Sequence, residues 1–101
     1  MQPFQYELDI TVHKGDEVVV VMVEVKTTLR PEDVKNFLYK LDHLEVLIPR
    51  YTENQIYGAM AWLSADAGAQ AMLENWGLFS IRATGDSASI LNTAEFRPHA
   101  W

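Results

Sequence analysis

The N-terminal part of the chain alternates between apolar and polar residues and then becomes almost entirely apolar. From Gln5 to His13 every second residue is apolar, which is the period of a strand with one buried face. The segment from Glu17 to Lys26 is rich in valine, as is typical of a more deeply buried strand. Between them, Gly15 and Asp16 provide turn-forming residues. The pattern therefore predicts an antiparallel hairpin.

The rest of the chain predicts two helices and three further strands. Pro31 suits the first position of a helix, and apolar residues then recur at spacings of three and four as far as Ile48. The segment from Gln55 to Leu63 is apolar on nearly both faces, as buried parallel strands are. The remaining predicted elements are a helix from Ala65 to Trp76, with Ser64 as its N-cap, and strands from Leu78 to Ala83 and from Ala88 to Leu91.

The predicted order of elements is β-β-α-β-α-β-β, which places the chain in the α/β class. Strands that are joined through helices prefer to be parallel, with right-handed connections. We therefore expect a mixed sheet with a hairpin at one side and helices packed on it. The length of 101 residues is that of one domain, so residues 1–101 are predicted to form a single unit.

Composition and charge narrow the class of protein. The 49% of hydrophobic and 22% of charged residues are ordinary for a globular domain. The sequence has no cysteine, which excludes disulfides and thiol nucleophiles and fits a reducing, cytoplasmic location. The longest apolar run is six residues, against the roughly 20 that span a bilayer, so no membrane partner is expected. A net charge of −6 argues against coating nucleic acid by charge alone but leaves contact through a metal ion open.

Charged residues stand at the end of the second predicted strand and beside it on the first. Because side chains alternate along a strand, Glu24 and Lys26 share one face. A hairpin turn at Gly15 would put Asp9 opposite Met22 and diagonal to Glu24. A register slipped by two residues would instead put Asp9 directly opposite Glu24. Either register keeps Asp9, Glu24 and Lys26 on the same face.

Two carboxylates with room between them form a site for a hard divalent cation. Mg²⁺ takes oxygen ligands at roughly 2.0–2.1 Å and keeps several water molecules. A bound cation can hold a phosphate oxygen and generate hydroxide near neutral pH. A lysine beside it can oppose the charge that builds on the phosphorus. The group formed by Asp9, Glu24 and Lys26 therefore has the parts that phosphodiester hydrolysis needs.

The spacing of these residues resembles the PD-(D/E)XK nuclease superfamily. Asp9 is followed fifteen positions later by Glu24-Val25-Lys26 in a valine-rich strand. The resemblance covers the hairpin, the following helix and the next strand. From there to Leu91 the sequence is similar to the C-terminal part of uncharacterised prokaryotic proteins that carry this domain.

The resemblance implies a restriction-endonuclease-like core and a magnesium-dependent phosphodiesterase that acts on DNA rather than RNA. Asp9 and Glu24 would be metal ligands together with the backbone carbonyl of Val25, and Lys26 would be the catalytic lysine. The cofactor would be Mg²⁺, with Mn²⁺ as the alternative. Glu7, two residues before Asp9 on the same face, is a further candidate ligand.

Two departures from the family pattern shape these expectations. Leu8 stands where the name of the motif has proline. The superfamily core also begins with a helix and a strand ahead of the aspartate strand, whereas eight residues precede Asp9. We therefore expect either a domain truncated at its N-terminus or a partner chain that completes the sheet. The expected assembly is a homodimer, joined through the open edge of the strand from Gln5 to His13 or through the helix from Pro31 to Ile48. The alternative function is a catalytically inactive nuclease-like module for dimerisation or protein interaction.

Overall fold

The computed structural model describes the backbone of residues 5–14, 17–44 and 55–101, and the side chains of residues 19–44 and 55–101. The elements follow one another in the predicted order. They are β1 (Gln5–Lys14), β2 (Glu17–Leu29), α1 (Pro31–Asp42), β3 (Gln55–Ala65), α2 (Ala69–Asn75), β4 (Phe79–Ala83) and β5 (Ala88–Ile90). In these ranges no helix is long and apolar enough to cross a membrane.

The described strands form one mixed sheet in which they lie in chain order, β1-β2-β3-β4-β5. β1 and β2 are the predicted antiparallel hairpin, β2, β3 and β4 are parallel, and β5 returns antiparallel to β4. The small α/β fold with a mixed sheet is therefore confirmed. The finer expectation of a restriction-endonuclease-like core is not confirmed, because many α/β folds share a mixed sheet covered by helices.

The hydrophobic core lies between the two described helices and one face of the sheet. Val34, Phe37 and Leu41 recur at helical spacing on α1, and all three are buried, so they form the stripe by which α1 packs on the sheet. Even-numbered positions of β2 and β3, together with Leu29 at the end of β2, contribute to the same layer. The principal side chains of this layer are Val20, Met22, Val34, Phe37, Leu41, Ile56, Met60, Trp62, Leu73 and Leu78.

The opposite face of the sheet is also apolar, and no described helix covers it. This explains why β2 carries valine at both even and odd positions, since both of its faces contact apolar neighbours. The aromatic ring of Phe96, from the C-terminal segment, meets that of Phe79 on this face with centroids 5.2 Å apart. The odd-numbered residues of the two central strands on this face are Val19, Val21, Val23, Val25, Tyr57, Ala59, Ala61 and Leu63.

The prediction for Ser64 is wrong, because β2 and β3 are both longer than their apolar pattern indicates. β2 runs to Leu29 instead of ending at Lys26, and β3 runs to Ala65. The two strands stay paired through Thr28 and Ser64. The hydroxyl oxygens of these two residues lie 3.3 Å apart, so Ser64 joins two strands instead of capping a helix.

The second helix is shorter than predicted. α2 begins at Ala69, preceded by Gly68 as its N-cap, and not at Ala65. α1 begins at Pro31 as predicted and its described range ends at Asp42. The predicted continuation of α1 to Ile48 falls largely on residues 45–54, which lie outside the described residues.

Gly58 lies on β3 where buried side chains of α1 and Leu78 pack directly against the backbone. A Cβ atom there would lie 2.6 Å from Cδ2 of Leu78 and 2.7 Å from Cδ1 of Leu41. We expect Gly58→Ala to lower the free energy of unfolding by about 1–3 kcal/mol, because both leucines are buried and the core must shift. Urea unfolding measures this change. Gly85→Ala is the matched control, since its Cβ would meet nothing within 4 Å, and equal losses in the two variants would contradict the packing argument.

Candidate functional site

The hairpin register brings acidic residues of β1 and β2 together on the face covered by the helices. Asp9 pairs with Met22 and is therefore diagonal to Glu24, while Glu7 pairs directly with Glu24. Diagonal partners in such a pair lie roughly 7–8 Å apart and direct partners about 4.5–5.5 Å. Three carboxylate-bearing positions thus share a small area of the two strands.

Glu24 is carried into the core layer, where it is 1% exposed. It lies in the same row of β2 as Val20 and Met22, which are apolar. Its Oε1 accepts a hydrogen bond of 2.8 Å from Nζ of Lys40 on α1. A buried carboxylate needs such a partner, because removing its charge from water costs several kcal/mol. The contact between Glu24 and Lys40 therefore ties β2 to α1.

Lys26 lies on the same face of β2 and pairs with Asp33 in the first turn of α1. The distance between Nζ of Lys26 and Oδ1 of Asp33 is 3.3 Å, and both side chains are largely buried. Oδ2 of Asp33 also accepts a hydrogen bond of 2.9 Å from the backbone N–H of Arg30. One carboxylate thus holds the lysine of the motif and the start of the helix together.

Asp33 and Lys40 complete this arrangement, although the nuclease-like motif does not indicate them. They are seven residues apart, or about two helical turns, and so lie on one side of α1. Their partners on β2 are two residues apart and lie on one face of the strand. Because α1 runs back along β2, Asp33 in its first turn meets Lys26 and Lys40 near its end meets Glu24. The sequence signal for these two residues is an acid and a base seven residues apart, in the helix that follows a strand with Glu-x-Lys.

Val25, whose carbonyl the resemblance assigns to a metal, lies inside the ladder of hydrogen-bonded strands. It pairs with Tyr6 on β1 and with Ala61 on β3. The carbonyl of a strand with neighbours on both sides points at one of them, in the plane of the sheet. Val25 as a ligand stays a prediction, and it requires the ladder to open at this point.

The register brings positions that carry carboxylates together, and carboxylate oxygens suit Mg²⁺. Among residues 19–44 and 55–101, no three His, Asp or Glu side chains converge so that they could hold a metal ion. Glu7 and Asp9 lie outside those ranges, in β1, where the structure describes the backbone. A metal site at Glu24 therefore depends on what these two residues contribute across the hairpin.

No protein-family model, curated protein sequence or solved structure matches the chain. The resemblance to the PD-(D/E)XK superfamily therefore rests on Asp9, on Glu24-Val25-Lys26 and on the order of the elements around them.

The contact with Lys40 is expected to stabilise the fold. Lys40→Met keeps most of the aliphatic stem but removes the ammonium, so Glu24 keeps its buried charge with a weaker set of partners. We expect a loss of about 1–3 kcal/mol in the free energy of unfolding, below the range for fully buried pairs because Lys40 is 36% exposed. Chemical denaturation measures it, and adding Glu24→Gln to Lys40→Met should restore part of the loss.

Lys35→Met, an equivalent change at an exposed position of the same helix, is the control and should stay within about 0.5 kcal/mol of the parent. If Lys40→Met is as stable as Lys35→Met, the contact between Glu24 and Lys40 does not position α1.

Proposed function

We propose that the chain is a divalent-metal-dependent phosphodiesterase of nuclease type. The observation that carries this proposal is the hairpin register, which sets Glu7 and Asp9 beside the buried Glu24. Three acidic residues thus occupy neighbouring positions of the hairpin, and we infer a local excess of negative charge there. A divalent cation would neutralise that excess, and Mg²⁺ binds through carboxylate oxygens.

Asp9 and Glu24 would hold Mg²⁺ or Mn²⁺, with Glu7 as a further ligand. The ion would supply positive charge at a phosphate oxygen and a hydroxide near neutral pH. Lys26 leaves β2 on the same face, where its ammonium opposes negative charge on the phosphate. Lys40 and the cation would compete for Glu24, so metal binding should weaken the contact between β2 and α1. DNA is the proposed substrate.

A plasmid-nicking assay in Mg²⁺ and Mn²⁺ tests the proposed role of Lys26. Lys26→Met should reduce nicking by about 100-fold or more, because an electrostatic contact made in the transition state is lost. Asp33→Asn is the matched control: it breaks the same ion pair but retains the ammonium, so most of the activity should remain. Asp9→Asn should abolish the rise in melting temperature that metal produces by mass action.

Equal losses of nicking in Lys26→Met and Asp33→Asn would show that the ion pair matters for the fold and not for the reaction. A parent protein that nicks neither DNA nor RNA in either metal would refute the phosphodiesterase.

A dimerisation module is the second candidate, and the position of β1 favours it. Among the described strands β1 pairs with β2 alone and so forms one edge of the sheet. The outward backbone groups of an edge strand pair readily with another chain. A two-fold contact is the commonest way to close such a surface. We therefore propose a homodimer joined through β1.

Proline substitutions in β1 test this contact. Consecutive N–H groups of a strand point to opposite sides, so one of Ile10→Pro and Thr11→Pro removes an outward donor and the other removes a bond to β2. In light scattering at tens of micromolar we expect the parent to be a dimer. The variant that loses the outward donor should be a folded monomer by circular dichroism. A parent that is monomeric, or a dimer that survives both substitutions, would rule out pairing through β1.

A further inference from the structure

A cleft lies between α1, the end of α2 and the last residues of the chain. Its volume is about 700 Å³, within the range of roughly 300–1,000 Å³ that is common for small-molecule sites. None of the residues that line it belongs to the group around Glu24 and Lys26. The lining residues that matter here are Lys35, Tyr39, Trp76, Arg97, His99 and Trp101.

The C-terminal segment forms one wall of the cleft and is fastened at several points. Trp101 donates from its backbone N–H to the Ile56 carbonyl at 2.8 Å and from Nε1 to Oδ1 of Asp42 at 2.9 Å. The His99 N–H donates to the Gly77 carbonyl at 3.0 Å. Gly77 has a φ of 78°, and a Cβ there would lie 2.6 Å from the His99 backbone nitrogen. The wall is therefore held in place before any ligand arrives.

Two large aromatic side chains of the cleft are exposed to solvent. Trp76 is 57% and Tyr39 65% exposed, although their rings are largely apolar. The Tyr39 ring stacks on His43 with centroids 4.1 Å apart, which orients it. Exposed aromatic rings in a concave site offer flat apolar surfaces on which a planar ligand can stack.

Lys35 and Arg97 bring positive charge to the same cleft. Within residues 19–44 and 55–101, neither makes an ion pair. The acids of the cleft hold the C-terminal segment instead: Asp42 binds the indole N–H described above, and Oε1 of Glu74 accepts a 2.5 Å hydrogen bond from Oγ1 of Thr93. Neither carboxylate pairs with the ammonium or the guanidinium, so both cations are available to an anion, although Asp42 and Glu74 keep their negative charge.

We propose that this cleft binds a small aromatic anion of the nucleotide class. The base would stack on Trp76 and Tyr39, and the phosphate would pair with Arg97 and Lys35. Guanidinium binds phosphate through two parallel hydrogen bonds and ammonium as a point charge. A free mononucleotide and a nucleotide of a single strand present the same chemistry. The proposal does not depend on metal-dependent hydrolysis at Glu24.

Calorimetric titration with adenosine monophosphate tests whether the cleft binds a nucleotide. Arg97→Gln and Trp76→Ala should each weaken binding about tenfold, through loss of a charge-assisted hydrogen bond and of a stacking surface. Arg82→Gln removes the same charge from an exposed position of β4 outside the cleft and should leave the affinity unchanged. Asp9→Asn should also leave it unchanged, which separates this site from the proposed phosphodiesterase.

Adenosine, inorganic phosphate and a short oligothymidylate complete the experiment. Adenosine and phosphate should each bind more weakly than the monophosphate, because each lacks half of the contacts. An oligothymidylate that competes with the monophosphate, and loses affinity in Arg97→Gln, would support the proposal with a strand as the source of the nucleotide. Monophosphate binding without oligothymidylate binding would support it with a free nucleotide. Absence of both at millimolar concentration, or binding that Arg97→Gln and Trp76→Ala leave unchanged, would overturn it.

Discussion

Glu24 is an acid in a row of β2 whose other members belong to the apolar core. Its side chain is almost completely buried, and the cost of that burial is several kcal/mol unless a positive group accompanies it. Lys40 must therefore stand above this point of the strand, which restricts both the rotation of α1 and its position along β2. The pair formed by Lys26 and Asp33 imposes the same restriction at the start of the helix.

The two proposed functions ask different things of this acidic region. A dimerisation module needs Glu24 to anchor α1, and Lys40 satisfies that need. It gains nothing from Glu7 directly opposite Glu24, and like charges in a direct cross-strand pair destabilise the sheet. A metal site does need several carboxylates in one place, because a bound cation offsets the repulsion between them. The direct pairing of Glu7 with Glu24 therefore favours the metal site over the dimerisation module.

Much of the hairpin follows from local pattern. The strict alternation of β1 and the turn-forming Gly15 are enough to put Asp9, Glu24 and Lys26 on one face, but they leave two registers open, and the structure has the one that pairs Asp9 with Met22. Ser64 shows where local pattern fails: its preference for an N-cap is outweighed by pairing with Thr28, thirty-six residues away in sequence. The motif likewise does not indicate Asp33 and Lys40, because their roles depend on how α1 crosses β2.

The cleft depends on an arrangement that periodicity does not reveal. Residues after β5 have no regular secondary structure, yet Trp101 reaches back to α1 and bonds to Asp42. Two positions earlier on the helix, Lys40 bonds to Glu24. A single turn of α1 thus holds both the first hairpin and the last residue of the chain. The two proposed sites lie on different sides of the same helix, because residues 33 and 40 face β2 whereas residues 35, 39 and 42 face the cleft. The geometry of both therefore depends on where α1 rests on the sheet, which the apolar stripe of α1 and the buried Glu24 beneath it determine together.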